Sequence, residues 1–309
     1  MRQLKTLPQK FLEEVFCLSK KAGTIAVILS AALWGTISIF VKMLSSLGLS
    51  TVQSIALRSI PAVIFLTIFL SVKDKSLLFI APKDWFYFFG TGIFSLLFFN
   101  CCYFYSIEAS SVAVAAVLLY TAPIFVTLMS AVLFKEKLTP KKLLALLLTF
   151  IGCVLVSNLI GSGQKISTSA LLAGIGSGFG YALYSIFGRY ALKKYKPFTV
   201  TLWTIIFASI GSVGIMLLQS GFYIPAGLFT AKGIIGVLGL SILCCALPYM
   251  LYTSGLAVIE SSKASIIATV EPAVAAIIGV CVFSERLSVL NLVGMAMIFG
   301  SVLLLANKE

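Results

Sequence analysis

Phe134-Lys135-Glu136-Lys137-Leu138-Thr139 reads F-x-E-K-L-T, and Phe283-Ser284-Glu285-Arg286-Leu287-Ser288 reads F-x-E-R-L-S. The two stretches align without a gap. The same register sets Pro123 against Pro272, Tyr103 against Tyr252 and Phe150 against Phe299. Near the start of each half, Ser38-Ile39-Phe40 resembles Ser185-Ile186-Phe187, and Lys42 then matches Arg189. Self-similarity on this scale marks two structural units in tandem.

The medium those units live in follows from composition. Of 309 residues, 60% are hydrophobic and only 11% charged, with a mean hydropathy of +1.09. A soluble domain carries about 25% charged residues, so this chain cannot cover a water-facing surface of its own size. Its main solvent is lipid. A bilayer core needs about 20 apolar residues per helix. Such runs fall at 24–44, 52–72, 85–107, 111–134, 140–158, 169–192, 198–219, 231–255, 261–283 and 288–306.

Five runs precede the linker 159–168, which carries Gly161-Ser162-Gly163-Gln164-Lys165, and five follow it. An odd number per unit makes the second unit, 169–306, enter the membrane from the side opposite to the first, 24–158. The expected fold is an all-α membrane protein of ten transmembrane helices in two inverted five-helix repeats. Such repeats place a substrate site between them near the midplane, the plan of an alternating-access carrier.

Charge sets the orientation. Most of the 23 Lys and Arg residues lie in the tail 1–23, in the connectors 73–83 and 135–142, in 189–196, and at Lys263 and Lys308. With both termini cytoplasmic these fall on the inner side, as the positive-inside rule requires. Lys42, Arg58, Lys165, Lys232 and Arg286 remain for the outer side or the spans. The net charge of +13 is thus explained by topology, without nucleic acid as a partner. The tail sets Phe11, Leu12, Val15 and Phe16 near one helical face and ends in Lys20-Lys21. This fits an interfacial helix, with a disordered tail as the competing reading. The location is the cell membrane.

The absence of histidine removes His-dependent triads and H-E-x-x-H metal sites. Six of the seven cysteines lie in apolar runs without C-x-x-C spacing and read as small buried hydrophobes. No metal, organic cofactor or ATP motif is indicated.

The chain resembles the EamA family of the drug/metabolite transporter superfamily. The likeness rests on both F-x-E-[KR]-L-[ST] junctions, on Pro123 and Pro272 ahead of them, on Trp34-Gly35 in the first run and on Arg58 in the second. It spans residues 24–306. The resemblance implies a ten-helix carrier with a central cavity, moving amino acids, other metabolites or drugs, often outward. In the second half, 198–219 has no counterpart of Arg58.

Charges inside spans cost about 2.5 kcal/mol or more on insertion scales and mark function or a specific partner. Arg58 suits a substrate carboxylate through its planar fork, or serves as an anchor snorkelling to the interface. Glu271, directly before Pro272, is the one acidic residue well inside a run. Protonation is its cheapest escape from burial, so it reads as a proton-coupling or ammonium-binding group, or as the ion-pair partner of Arg58 or Lys263. Trp34, Asn100, Tyr103, Tyr120, Tyr181, Tyr184, Tyr249 and Tyr252 recur at cavity depth, as substrate-enclosing groups or helix packing. Pro123 and Pro272 are candidate hinges or static kinks in mid-span. Trp85, Phe86, Tyr87 and Phe88 read as an interfacial belt. The glycines at 174, 176, 178 and 180 read as close helix packing. Glu136 and Glu285 form the junctions, with a gating ion pair as the alternative.

The function expected is secondary transport, as an exporter, of small metabolites, amino acids or related carboxylates first. A multidrug exporter of cationic or neutral compounds is the alternative on the same fold. A channel would need a repeated polar ring, which the sequence lacks, and a membrane-embedded enzyme is opposed by the lack of His, of D-D and H-x-x-E-H patterns and of a second clear intraspan carboxylate. Proton coupling and a monomer or weak homo-oligomer complete the expectation.

Overall fold

The computed structural model describes residues 19–157, 159, 166–220 and 223–306. The amphipathic stretch of the tail up to residue 18 and most of the linker fall outside the described residues. Among these the secondary structure is helical, with no β-strand. The long apolar segments are α1 (Lys20–Ser45), α2 (Val52–Lys73), α3 (Pro82–Ala109), α4 (Val112–Leu133), α5 (Pro140–Val156), α6 (Thr168–Ala191), α7 (Pro197–Gln219), α8 (Ala231–Leu256), α9 (Ser261–Phe283) and α10 (Val289–Ala306). All but α5 are long and apolar enough to cross a membrane, which makes nine among the described residues where the sequence suggests ten. α5 has 17 residues. At 1.5 Å per residue it reaches about 26 Å, a little short of a ~30 Å hydrocarbon core. The chain is a multi-pass membrane protein.

Helix starts are set by hydroxyl caps. Ser50 accepts from the Gln53 amide at 3.2 Å while the Gln53 side chain bonds back to the Ser50 N–H, a full capping box. Thr139 and Ser288, the last residues of the two junction motifs, accept from the Lys142 and Asn291 amides at 3.3 and 3.2 Å. Ser111, Ser167 and Thr230 do the same for α4, α6 and the start of α8. Each cap satisfies a backbone donor that lipid could not.

The junctions fold alike. Lys135 (φ 56°) and Ser284 (φ 55°) are both left-handed. Each turn is closed by the next amide, Glu136 to the Ser130 carbonyl at 3.2 Å and Glu285 to that of Gly279 at 3.0 Å. The likeness extends inside the helices. α3 carries a π-helical stretch at Gly90–Leu97 and α8 one at Ile242–Ala246. α4 breaks at Tyr120-Thr121 and α9 at Thr269.

Those breaks correct the reading of the prolines. Neither kinks a continuous helix. Pro123 lies in the first turn of Ala122–Leu133 and Pro272 in that of Val270–Phe283, where a missing N–H costs least.

Helices of the two units interleave. α1 packs on α8 and α9, α2 on α7 and α8, α3 on α6 and α7, and α4 on α6 and α9, while α5 pairs with α10. The α6 glycines permit close contact: a Cβ at Gly180 would stand 2.8 Å from the Phe98 ring and 3.0 Å from the Phe99 amide. α5 and α10 meet at Gly152 and Gly294, where a Cβ at Gly152 would lie 2.8 Å from the Gly294 carbonyl. Around that contact Asn291 donates to the Leu155 and Val156 carbonyls, and Thr149 to Ser301 at 2.8 Å. Gly152→Val therefore overpacks a backbone contact that no side chain can yield, and should destabilise the protein by about 1–3 kcal/mol. Thermal unfolding in detergent reads this directly; an unchanged midpoint would mean that the α5–α10 pair yields freely.

Two expectations need correction. Phe88 is fully buried, against Tyr195 (5.4 Å) and Trp203 (6.4 Å), so it is not part of an interfacial belt, while Trp85 and Phe86 are exposed. Cys153, Cys244 and Cys245 are buried, but Cys101 and Cys281 are exposed.

Candidate functional site

The breaks and π-helical stretches cluster around one aromatic group. α1 is interrupted at Thr36, whose hydroxyl bonds back to the Leu33 carbonyl at 2.7 Å. The turn before it carries Trp34, 5% exposed. Its ring lies 5.1 Å from Tyr249, 5.6 Å from Tyr252 and 6.3 Å from Tyr181. Tyr184 closes the group at 5.2 Å from Tyr249 and 5.9 Å from Tyr252.

Hydroxyl chemistry divides the tyrosines. The Tyr184 hydroxyl is bonded to Thr253 at 2.5 Å, and that of Tyr252 to Ser185 at 2.7 Å. Both are satisfied by protein and almost wholly buried, so they form the rear wall. Tyr120, Tyr181 and Tyr249 line cavities, and among the described residues their hydroxyls have no protein partner. Tyr103 stands further along, 5.9 Å from Phe99, whose ring is 5.7 Å from Tyr181.

Tyr249, packed on Trp34, also lines a cavity of about 30 Å3 together with Arg58, Ser59, Asn100 and Cys245. Asn100, which lines this cavity, donates to the Leu96 carbonyl at 2.6 Å. Ser59 is tied to the Ala56 carbonyl and to Ser209. Both π-helical stretches flank the space: Leu97 and Cys245 belong to them. Among the described residues Arg58 has no hydrogen-bond or ion-pair partner. This space admits water and is too small for a metabolite. Through Ile55, Leu97, Asn100 and Ser212 it adjoins a larger cavity of about 230 Å3, which runs to Val52, Glu108 and Gln219. These last three lie at the terminal turns of α2, α3 and α7, so the larger cavity is a vestibule leading from one end of the bundle to Arg58.

Tyr181, also in contact with Trp34, lines a second cavity of about 20 Å3 together with Tyr120, Pro123, Ser265, Thr269 and Glu271. It lies where α4 and α9 both break. Thr121 and Thr269 each bond back three residues, to the Leu118 and Ile266 carbonyls. Glu271, like Arg58, has no hydrogen-bond or ion-pair partner among the described residues, and the two do not pair with each other. Two opposite charges, unpartnered among the described residues, thus adjoin a shared aromatic group, an arrangement suited to a polar solute and costly without one.

The end away from the vestibule is sealed, chiefly by contacts between the two units. Asp84 accepts from Lys194 and the Tyr195 hydroxyl, both at 2.5 Å. That carboxylate raises the Lys194 ammonium above its ordinary pKa, chiefly through the hydrogen bond. Thr199 and Trp203 donate to the Leu77 and Leu78 carbonyls at 2.9 and 3.0 Å. Glu136 caps the start of α9, accepting from the Ser261 amide (2.8 Å), the Ser262 amide (3.2 Å) and the Ser262 hydroxyl (2.5 Å). Lys142 joins Glu260 at 2.5 Å. Arg189 donates to the Leu256 and Ile259 carbonyls. Glu285, the counterpart of Glu136, makes only a half-exposed pair with Lys42 at 3.2 Å. The two junctions are alike in backbone and unlike in engagement.

Sequence reading did not find Ser59, Cys245, Ser265, Thr269 or the vestibule residues Glu108 and Gln219. The small hydroxyls carry no signal apart from proximity to Arg58 and Glu271. Glu108 ends an apolar run and reads as a helix terminus. Among the described residues no three His, Cys, Asp or Glu side chains converge on a metal position.

Known proteins share this architecture. A solved crystal structure superposes with a TM-score of 0.80 at 16% identity, over 91% of this chain and 95% of its own, which speaks to the fold alone. An "Uncharacterized transporter" of Archaeoglobus fulgidus is 31% identical over 287 residues, 91% of this chain and 95% of its own. An "Uncharacterized inner membrane transporter YicL" of Salmonella typhimurium is 25% identical over 93% of this chain and 96% of its own. The EamA-like transporter family matches twice, at residues 21–158 and 168–307. Two matched repeats, helices of membrane-spanning length and a full-length relative place the chain in that family: it is an EamA-like membrane transporter of the drug/metabolite type.

Proposed function

We propose that the protein is a secondary carrier of small organic solutes bearing a carboxylate, amino acids first, exporting them by alternating access. The observation that carries this reading is the pair of charges, Arg58 and Glu271, unpartnered among the described residues, in two cavities that share walls with the Trp34 aromatic group through Tyr249 and Tyr181, with the vestibule leading to Arg58. Arg58 takes the carboxylate through its planar fork. Trp34, Tyr181 and Tyr249 enclose the body, and Glu271 pairs with an ammonium or exchanges a proton.

The two units, 24–158 and 169–306 joined by 159–168, are inverted five-helix repeats, α5 being the tenth span at slight mismatch with the bilayer. Both termini are cytoplasmic in the cell membrane. The sealed end, which carries Lys142, Lys194 and Arg189, then faces inward and the vestibule outward. Neither cavity beside Trp34 has room for a metabolite, so loading requires the halves to part there. The protein works as a monomer or weak homo-oligomer. A second reading, export of cationic compounds, is favoured by the tyrosines around Glu271, which suit a cation over their ring faces.

The test is counterflow in proteoliposomes loaded with unlabelled amino acids, other carboxylates or cationic drugs, with the labelled form outside. Transient accumulation of a labelled carboxylate above equilibrium supports the carboxylate carrier. Overshoot with cations alone moves the reading to the second. Monotonic equilibration without overshoot would make it a channel.

A further inference from the structure

The first half of α9, Ser261–Ala268, runs from the Glu136 cap to the Glu271 cavity. Ser261, Ser265 and Thr269 follow at four-residue spacing and therefore share one face, spanning about 12 Å along the axis. Ser265 and Thr269 line the Glu271 cavity at one end. At the other, Ser261 hands its amide to Glu136. The second half of α4 packs against this segment and carries Thr127 and Ser130, three residues apart.

Ser261, Ser265, Thr127 and Ser130 are at most 2% exposed, and among the described residues their hydroxyls have no hydrogen-bond partner. Most buried hydroxyls in this chain do find one: Ser30 bonds Pro248, Ser106 bonds Ala170, and Ser254 bonds Met250. Four unpartnered hydroxyls on two packed helix segments, between two carboxylates, are an exception to the rule that buried polar groups are satisfied. Water threading between them would satisfy all four, since each hydroxyl both donates and accepts.

We propose that this α4–α9 hydroxyl stripe is a water-lined proton route joining Glu271 to the Glu136–Lys142–Glu260 cluster at the sealed end. The inference rests on the reading of Glu271 as the proton-exchanging carboxylate of the carrier. A proton leaving the Glu271 carboxyl passes as successive O–H bonds break on one oxygen and form on the next. It reaches the Glu136 carboxylate, which already accepts from the Ser262 hydroxyl. From there it meets Lys142 and the half-exposed Glu260, open to solvent. No other co-reactant is needed. The titratable side chains that line the Glu271 cavity with it are Tyr120 and Tyr181, neither of them on the stripe. Lys263 sits on the same α9 segment, two residues from both Ser261 and Ser265, and so off the stripe's face.

Time-resolved infrared spectroscopy of the purified full-length chain after a pH jump tests this without a substrate. The carboxyl band that disappears in Glu271→Gln gives the extent of its titration by amplitude and its access by rate. Thr127→Val and Ser261→Ala/Ser265→Ala should keep the amplitude and slow the rate roughly tenfold, a barrier raised by about 1.4 kcal/mol. Ser254→Ala, off the stripe, should leave both unchanged. Unaltered rates in both stripe variants with the wild-type amplitude would overturn the route and leave Glu271 as the titrating group. No Glu271-dependent band in the wild type would overturn the underlying reading with it.

Discussion

Arg58→Gln should raise the half-saturation concentration for carboxylate counterflow roughly thirtyfold or more. Truncating one partner of a buried, hydrogen-bonded charge pair costs about 2–5 kcal/mol, and 1.4 kcal/mol is a factor of ten. Arg58 meets the conditions for a large effect: it lies inside α2, lines the cavity beside Tyr249 and Asn100, and among the described residues has no anionic side chain paired with it. A structural anchor would behave differently. Its loss would lower the unfolding temperature and leave the half-saturation concentration of the surviving protein unchanged. Arg58→Lys separates charge from geometry and should recover only part of the affinity, because a lysine cannot offer the two parallel donors of a guanidinium. Counterflow titrated against substrate concentration, beside thermal unfolding of the same preparations, decides between the two roles.

Glu271→Gln should keep exchange and lose coupling. Counterflow, which moves solute both ways without net proton movement, should persist. Accumulation driven by an imposed pH gradient should fall to the level of wild type treated with a protonophore. Glutamine keeps the shape and polarity of the side chain while removing the only proton it can exchange. If Glu271 instead holds a substrate ammonium, counterflow falls too, and falls most for zwitterions. A variant that still concentrates solute on a pH gradient would place the coupling proton elsewhere.

The junction motifs were readable because their residues answer a local backbone demand. Lys135 and Ser284 take left-handed conformations, the following glutamate amides close the turns, and Thr139 and Ser288 cap the next helices. Those requirements act within a few residues, so the alignment of the two stretches carried them. The helix breaks were not readable. At Thr36, Tyr120-Thr121 and Thr269 the apolar composition continues unbroken, and the signal is a single threonine bonding back three residues. This is also why the prolines misled: without the breaks they look like mid-span kinks.

The site was half legible. Intramembrane charge is costly enough to stand out, which singled out Arg58 and Glu271, and both line cavities beside the Trp34 group. Which tyrosines have a free hydroxyl was hidden, because Tyr184 and Tyr252 are satisfied by Thr253 and Ser185 on facing helices. No spacing in the sequence announces such pairs. Phe88 was misplaced for a related reason: its burial depends on Tyr195 and Trp203 in the other unit.

The measurement that bears most directly on alternating access is a staple across the sealed end. In a background with its cysteines replaced, Asp84→Cys and Lys194→Cys stand on opposite units where the native side chains meet. They can be joined by a short bis-thiosulfonate in proteoliposomes. Stapled protein should lose counterflow, and reduction should restore it, because solute reaches that side only when the Asp84–Lys194 end parts. Counterflow at the unstapled rate in fully cross-linked protein would contradict alternating access between the two units.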